Sequence, residues 1–187
     1  MADSNKVKFG LKSVYYSIAT IAGGSVTYGT PKAWPGAVSI DLSPQGGSDP
    51  FRADNMDYYR AAGGDSYSGN LTMAYLPDSV REDLFGDQVD DNGILVESAN
   101  GSATPFALMF EFSGDANETR YVLYNCTASK PNIHSETTPA DSVTPITIDI
   151  PIVASANVNG YVRGKADSGD TAYASWFTTV QEPDFTP

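Results

Sequence analysis

A mainly β single domain, a sandwich or partial barrel with one or two short flanking helices, is the fold class this sequence predicts. Three observations carry it. Several segments alternate apolar and polar residues with the period of two that a half-buried strand requires. The chain holds 17 Gly, 12 Pro and 11 Tyr, a composition that favours strands joined by tight turns. Its 187 residues, 41% of them hydrophobic, suffice for one core without a second domain.

Val14 to Thr20 is apolar on both faces and reads as a strand covered on both sides. Val38, Ile40 and Leu42 then alternate with Ser39, Asp41 and Ser43. From Pro44 to Asp65 the chain makes a long excursion, with Gly46-Gly47, Asp49-Pro50 and Gly63-Gly64 around the apolar-aromatic segment Met56 to Tyr59. Loops of this length are commonly functional, and this one reads as a hairpin too apolar for solvent. Its Phe51, Met56, Tyr58 and Tyr59 are candidate contacts with another chain. Tyr67, Gly69, Leu71, Met73 and Tyr75 next share one face against Ser66, Ser68, Asn70 and Thr72, a long strand with one wet side.

The period then changes. Ser79-Val-Arg-Glu82 has the form of a capping box, Val80, Leu84 and Phe85 make an apolar stripe, and Gly86 suits the helix end, so a two-turn helix is predicted over 77–85. Phe106, Leu108, Phe110 and Phe112 return to the strand period opposite Glu111, and Tyr121 to Ala128 is again apolar on both faces. A polar excursion follows from Lys130 to Thr144.

Ile146, Ile148, Ile150 and Ile152 alternate with Thr147, Asp149 and Pro151. Because proline cannot donate to a ladder, this strand is predicted to lie at a sheet edge or to carry a bulge. An edge so apolar needs cover, which makes Ile148 and Ile150 candidate interface residues. Asp170 or Thr171 can start a final turn that places Tyr173, Trp176 and Phe177 at i, i+3 and i+4, closing one end of the core. Residues 182–187 read as a loose tail.

Charge narrows the function. Lys plus Arg number 11 against 23 Asp plus Glu, a formal net charge of -12 and the wrong sign for neutralising phosphates. Asp78, Glu82, Asp83, Asp87, Asp90, Asp91, Glu97, Glu111, Asp115 and Glu118 are answered within their own stretch by Arg81 alone. The N-terminal arm carries Lys6, Lys8 and Lys12, so opposite parts of two copies are complementary across an interface. The same net charge also keeps a β-rich chain soluble before assembly.

Catalytic and metal signatures are sparse. His134 is the one histidine, set in a polar loop without a Gly-x-Ser-x-Gly motif, and reads as a solvated side chain. Cys126 is the one cysteine; it forms no internal disulfide and, inside an apolar run, reads as a small buried hydrophobe. One His and one Cys are too few for a zinc site. Aligning Gly93 with the glycine of a calcium loop puts Gln88 at the first ligand position and Ala99 where the bidentate Glu belongs, which rejects an EF-hand. Phosphate-cradling glycine motifs do not occur, and with 23 acids a carboxylate pair at glycosidase spacing is expected by chance. The opening residues lack a secretory apolar stretch, and no run approaches the ~20 apolar residues of a membrane span. No cofactor, catalytic residue or membrane contact is therefore expected.

A resemblance covers nearly the whole chain. Lys6-Val-Lys-Phe-Gly-Leu-Lys-Ser-Val-Tyr-Tyr16, Thr27-Tyr-Gly-Thr-Pro31, Pro35-Gly-Ala-Val-Ser39, Pro50-Phe-x-Ala-Asp-Asn55 and Pro77-Asp-Ser79 carry its first half. Pro105-Phe-Ala-Leu-Met-Phe-Glu-Phe112, Arg120-Tyr-Val-Leu-Tyr-Asn-Cys-Thr-Ala128 and Tyr173-Ala-Ser-Trp-Phe177 extend it. Together they resemble the major tail proteins of long, non-contractile-tailed phages of Gram-positive bacteria. The resemblance implies a tail-tube β-sandwich or partial barrel, hexameric rings of identical subunits stacked into a tube, contact with other tail proteins, and a lumen that passes DNA without binding it specifically. It also implies a place in the virion tail after assembly in the host cytoplasm. Glu97 and Glu111 are then candidate lumen charges. The competing readings are a monomeric binding module of carbohydrate-binding or adhesin type, a glycosidase, and a bacterial secretion-tube subunit.

Overall fold

A computed structural model describes residues 10–46, 50–53, 56–60, 66–99, 101–114, 117–137 and 145–185. The N-terminal Lys6 and Lys8, Gly63-Gly64, Asp115, part of the second polar excursion and the last two residues lie outside the described residues. The strands are β1 (Leu11–Ala22), β2 (Ser25–Tyr28), β3 (Lys32–Ala33), β4 (Ala37–Gln45), β5 (Pro50–Ala53), β6 (Met56–Arg60), β7 (Ser66–Met73), β8 (Gln88–Val89), β9 (Leu95–Val96), β10 (Phe106–Phe112), β11 (Arg120–Ala128), β12 (Ile148–Ser155) and β13 (Arg163–Ala166). One helix, α1 (Asp78–Phe85), and one 3-10 turn, Thr171–Ser175, complete the described elements.

Nine strands form a single antiparallel sheet in the order β2-β1-β10-β11-β12-β7-β4, with β3 on β1 and β13 on β11. The sheet curls until its terminal strand β4 approaches β1, which encloses one main core as a partial barrel. Tyr16, Leu71, Phe106, Leu108, Ile150 and Ile152 fill that core, each worth roughly 1.5–3 kcal/mol of burial. Helix α1 plugs it with Val80, Leu84 and Phe85. Pro77, rather than Ser79, precedes the first turn, and no side chain caps it, so the capping-box reading is corrected; Gly86 ends the helix at φ 70° as expected. Trp34 is fully buried between β3 and β4 and meets Tyr16 edge-on at 5.8 Å.

The outer side of the sheet is divided. Over β1, β10 and β11 it is apolar: Ala107, Met109, Val122 and Tyr124 form a second cluster under Trp176 and Val180 of the C-terminal segment. Tyr15 stacks on Phe177 at 4.7 Å. Strand β10 is thus covered on both faces, where alternation predicts one wet side, because the C-terminal segment supplies a cover that no local pattern records. Contacts of that segment continue to Phe185: Asn159 donates to the Glu182 carboxylate at 3.3 Å, and Phe185, itself exposed, lies 6.0 Å from the ring of Tyr161.

Two backbone irregularities decide which side chains point inward. An extra residue between Lys12 and Tyr15, with Ser13 at φ 54°, turns Val14 into the core after Leu11. A register shift between Ala37 and Ser39 turns Val38 out to 51% exposure and lets Ala37 pack inward, so the predicted Val38-Ile40-Leu42 face begins at Ala37 instead. Tyr75 likewise lies beyond β7 and is 61% exposed.

The edge reading of the isoleucine strand is overturned. β12 lies between β11 and β7 in the sheet interior. Pro151 is tolerated because its carbonyl accepts the Ser129 N–H just past the end of β11, so the side of the backbone where proline lacks a donor faces the end of that ladder. Gly69 marks a close approach to β4: a Cβ there would stand 1.9 Å from the Asp41 carbonyl oxygen, and that backbone cannot readily yield. Gly69→Ala is expected to cost about 2 kcal/mol or more through overpacking. Chemical denaturation checks this, and an unchanged midpoint would refute the close approach.

Candidate assembly site

Strands β4 and β7 form one long hairpin whose pairing reaches Gln45 and Ser66, so Pro44 and Gln45 belong to the sheet and the excursion starts after them. Beyond that base, β5 and β6 pair only with each other as a separate two-stranded ribbon. Phe51 stands opposite Tyr59 in register, Tyr58 is the extra residue of the β6 bulge, and Met56 is 62% exposed. These four candidates thus lie on one two-stranded hairpin. Ile150 is fully buried and Ile148 packs on the same core, so the apolar face offered to a second chain is already covered within one subunit.

On the outer side of β4, β7 and β12 the surface is polar and arranged in rows. Ser39, Thr72 and Asp149 are register neighbours, as are Asp41, Asn70 and Pro151; the next row runs Ser43, Ser68, Val153 and, on β11, Thr127. Thr72 donates to Asp149 at 2.6 Å across the strands. Period-two alternation already shows the polar side of each strand; the neighbours that join them into a sheet face do not appear in it.

Part of the acidic stretch is paired inside the subunit with bases from distant parts of the chain. Glu111 is 2% exposed, held by Lys12 at 2.8 Å and by Arg120 Nε at 2.9 Å. Its hydrogen bond raises the Lys12 ammonium above its ordinary value. Asp87 is buried against Lys130 at 3.2 Å, and the same ammonium reaches Glu97 at 2.9 Å. Asp83 accepts both Tyr16 Oη and Lys32 Nζ at 2.6 Å, tying α1 to β1 and β3. Glu111 is therefore not a free surface charge, and Glu97 is exposed but paired. The complementarity assigned to Lys12 between copies is satisfied within one copy.

The residues with reactive potential stand apart. Cys126 is fully buried and its thiol is pushed up by desolvation. His134 is exposed and, among the described residues, meets Glu136 at 3.2 Å. Asp90 accepts the backbone N–H groups of Asn92 and Ile94, which holds its carboxyl below the usual range as a turn-former between β8 and β9. Among the described residues no group of three or more His, Cys, Asp or Glu gathers for a metal. A cleft of about 210 Å³ at one end of the curled sheet is lined by Leu42, Tyr67, Phe110, Phe112 and Tyr121, with Arg163 as its cation.

What the described residues present to solvent is extended surface: a sheet with a polar face, and a separate two-stranded hairpin, on a scaffold with two apolar clusters. The class so defined is a structural β subunit. A family model described as phage tail tube protein matches residues 2–186, so the chain belongs to the phage tail tube protein family and is a structural subunit of the virion's tail tube. No curated protein matches it.

Proposed function

We propose that the subunit acts without catalysis, joining copies of itself into rings, six to a ring, that stack into a tube through which DNA passes without specific binding. The observation that carries this reading is the unclosed sheet: β4 ends the strand order with its outer edge unpaired among the described residues, and the β5–β6 hairpin continues from it. An edge of this kind pairs readily with a strand of another chain, and a head-to-tail contact that closes on itself makes a ring. The hairpin with Phe51, Met56, Tyr58 and Tyr59 bridges subunits, and assembly takes place in the host cytoplasm with other tail proteins. Negative-stain electron microscopy of the purified protein is expected to show rings or tubes. A uniform monomer at high concentration would reject the reading and favour a monomeric binding module.

A further inference from the structure

We infer that the β8–β9 hairpin of one copy seats against the cleft beside β13 of the next, an inference that rests on the reading of the chain as a tube-forming subunit. Among the described residues this hairpin pairs only with itself, and Val89, Ile94 and Val96 on it are 49%, 59% and 47% exposed. They belong to neither apolar cluster of the subunit, and apolar side chains gathered on an exposed element mark a contact surface. The turn between the strands carries two acids: Asp90, fixed by the backbone N–H groups of Asn92 and Ile94, and the exposed Asp91.

The complementary chemistry stands at the other end of the subunit. Arg163 and Lys165, both exposed and two apart on β13, are in no ion pair with a described Asp or Glu, whereas Lys12, Lys32, Arg81, Arg120 and Lys130 each are. Arg163 lies over the Tyr67 ring at 5.4 Å and lines the cleft walled by Leu42, Phe110, Phe112 and Tyr121. An apolar hairpin with an acidic turn thus matches an apolar cleft with a basic rim. The two lie at opposite ends of β11. Lys130, just past the end of that strand, binds Asp87 and Glu97 on either side of the hairpin, while β13 pairs with Arg120 to Leu123 at its start. Nine residues of strand hold them about 25–30 Å apart, so a copy cannot fill its own cleft. The contact is head to tail, and it repeats from copy to copy. Tyr67 also adjoins the base from which the β5–β6 hairpin leaves, so both elements serve the same end of the subunit.

Charge reversal on each side tests the match. Asp91→Lys makes the hairpin basic, and Arg163→Glu with Lys165→Glu makes the cleft rim acidic; all three positions are exposed, so each free subunit should melt within a few degrees of the parent. Sedimentation and electron microscopy then give the protein concentration at which tubes form. Each variant alone is expected to raise that concentration by about tenfold or more, because like charges meet at every contact. An equal mixture of the two should assemble close to the parent concentration, since the acidic hairpin of one then meets the basic rim of the other, and its basic hairpin meets the acidic rim. A mixture no better than its separate components, or variants that assemble like the parent, would overturn this contact and leave tube formation standing. Parent protein that forms no tubes would remove the tube reading itself. Ile94→Ser, which trims the apolar side of the same contact without touching charge, should also raise the concentration needed, and an unchanged value would count against the hairpin.

Discussion

Deleting residues 46–63 and closing the gap with a short Gly-Ser link is expected to leave a folded subunit that no longer forms tubes. The β4–β7 pairing is complete at Gln45 and Ser66, so the cut falls outside the ladder that carries Leu71 and Met73 into the core. Shortening a loop changes closure entropy only slowly with its length, so the remaining domain should melt within a few degrees of the parent. The deletion does remove the ribbon on which Phe51 and Tyr59 pair and from which Met56 projects. Circular dichroism and thermal melting would establish the fold, and sedimentation with electron microscopy the loss of assembly. Full-length tubes from the deleted chain would refute an intersubunit role for the hairpin.

Arg120→Ala is expected to have the largest effect on stability of any single exchange outside the apolar core. The guanidinium holds the buried Glu111 carboxylate, donates to the Tyr173 carbonyl at 2.5 Å, and lies 3.6 Å from the Tyr173 ring centre and 4.7 Å from that of Phe177. It thus joins the β10–β11 register, where Glu111 stands opposite Arg120, to the turn that brings Trp176 over the second cluster. Removing one partner of a buried pair costs about 3–5 kcal/mol, a Tm loss of ~6–20 °C for a domain of this size. The double change Glu111→Leu with Arg120→Met should recover part of that loss, since it leaves no buried charge unpaired. A loss under about 1 kcal/mol for Arg120→Ala would mean that Lys12 alone neutralises Glu111.

Local chemistry made much of the fold legible. The alternation through Phe106–Phe112 and Ile148–Ile152 marks strands, Gly86 ends the helix, and Cys126 in its apolar run is buried as expected. These features are written within a few residues of one another, at the scale on which backbone period and turn chemistry act. The polar rows through Ser39, Asn70 and Asp149 were visible strand by strand, yet not as one face.

Sequence by itself determined that this protein is a β-rich structural subunit resembling a tail protein, and it determined which residues alternate along each strand. Tertiary structure alone decided which strand is interior and which is edge, so that β12 with its proline lies inside and β4 ends the sheet. It likewise decided which acids are free, since Lys12 finds Glu111 and Lys130 finds Asp87 across long separations in the chain. The reason is physical: a strand's period reports that it has two faces, but what covers each face, and what base meets each carboxylate, comes from segments whose approach depends on the whole sheet curling and the C-terminal segment folding back over it.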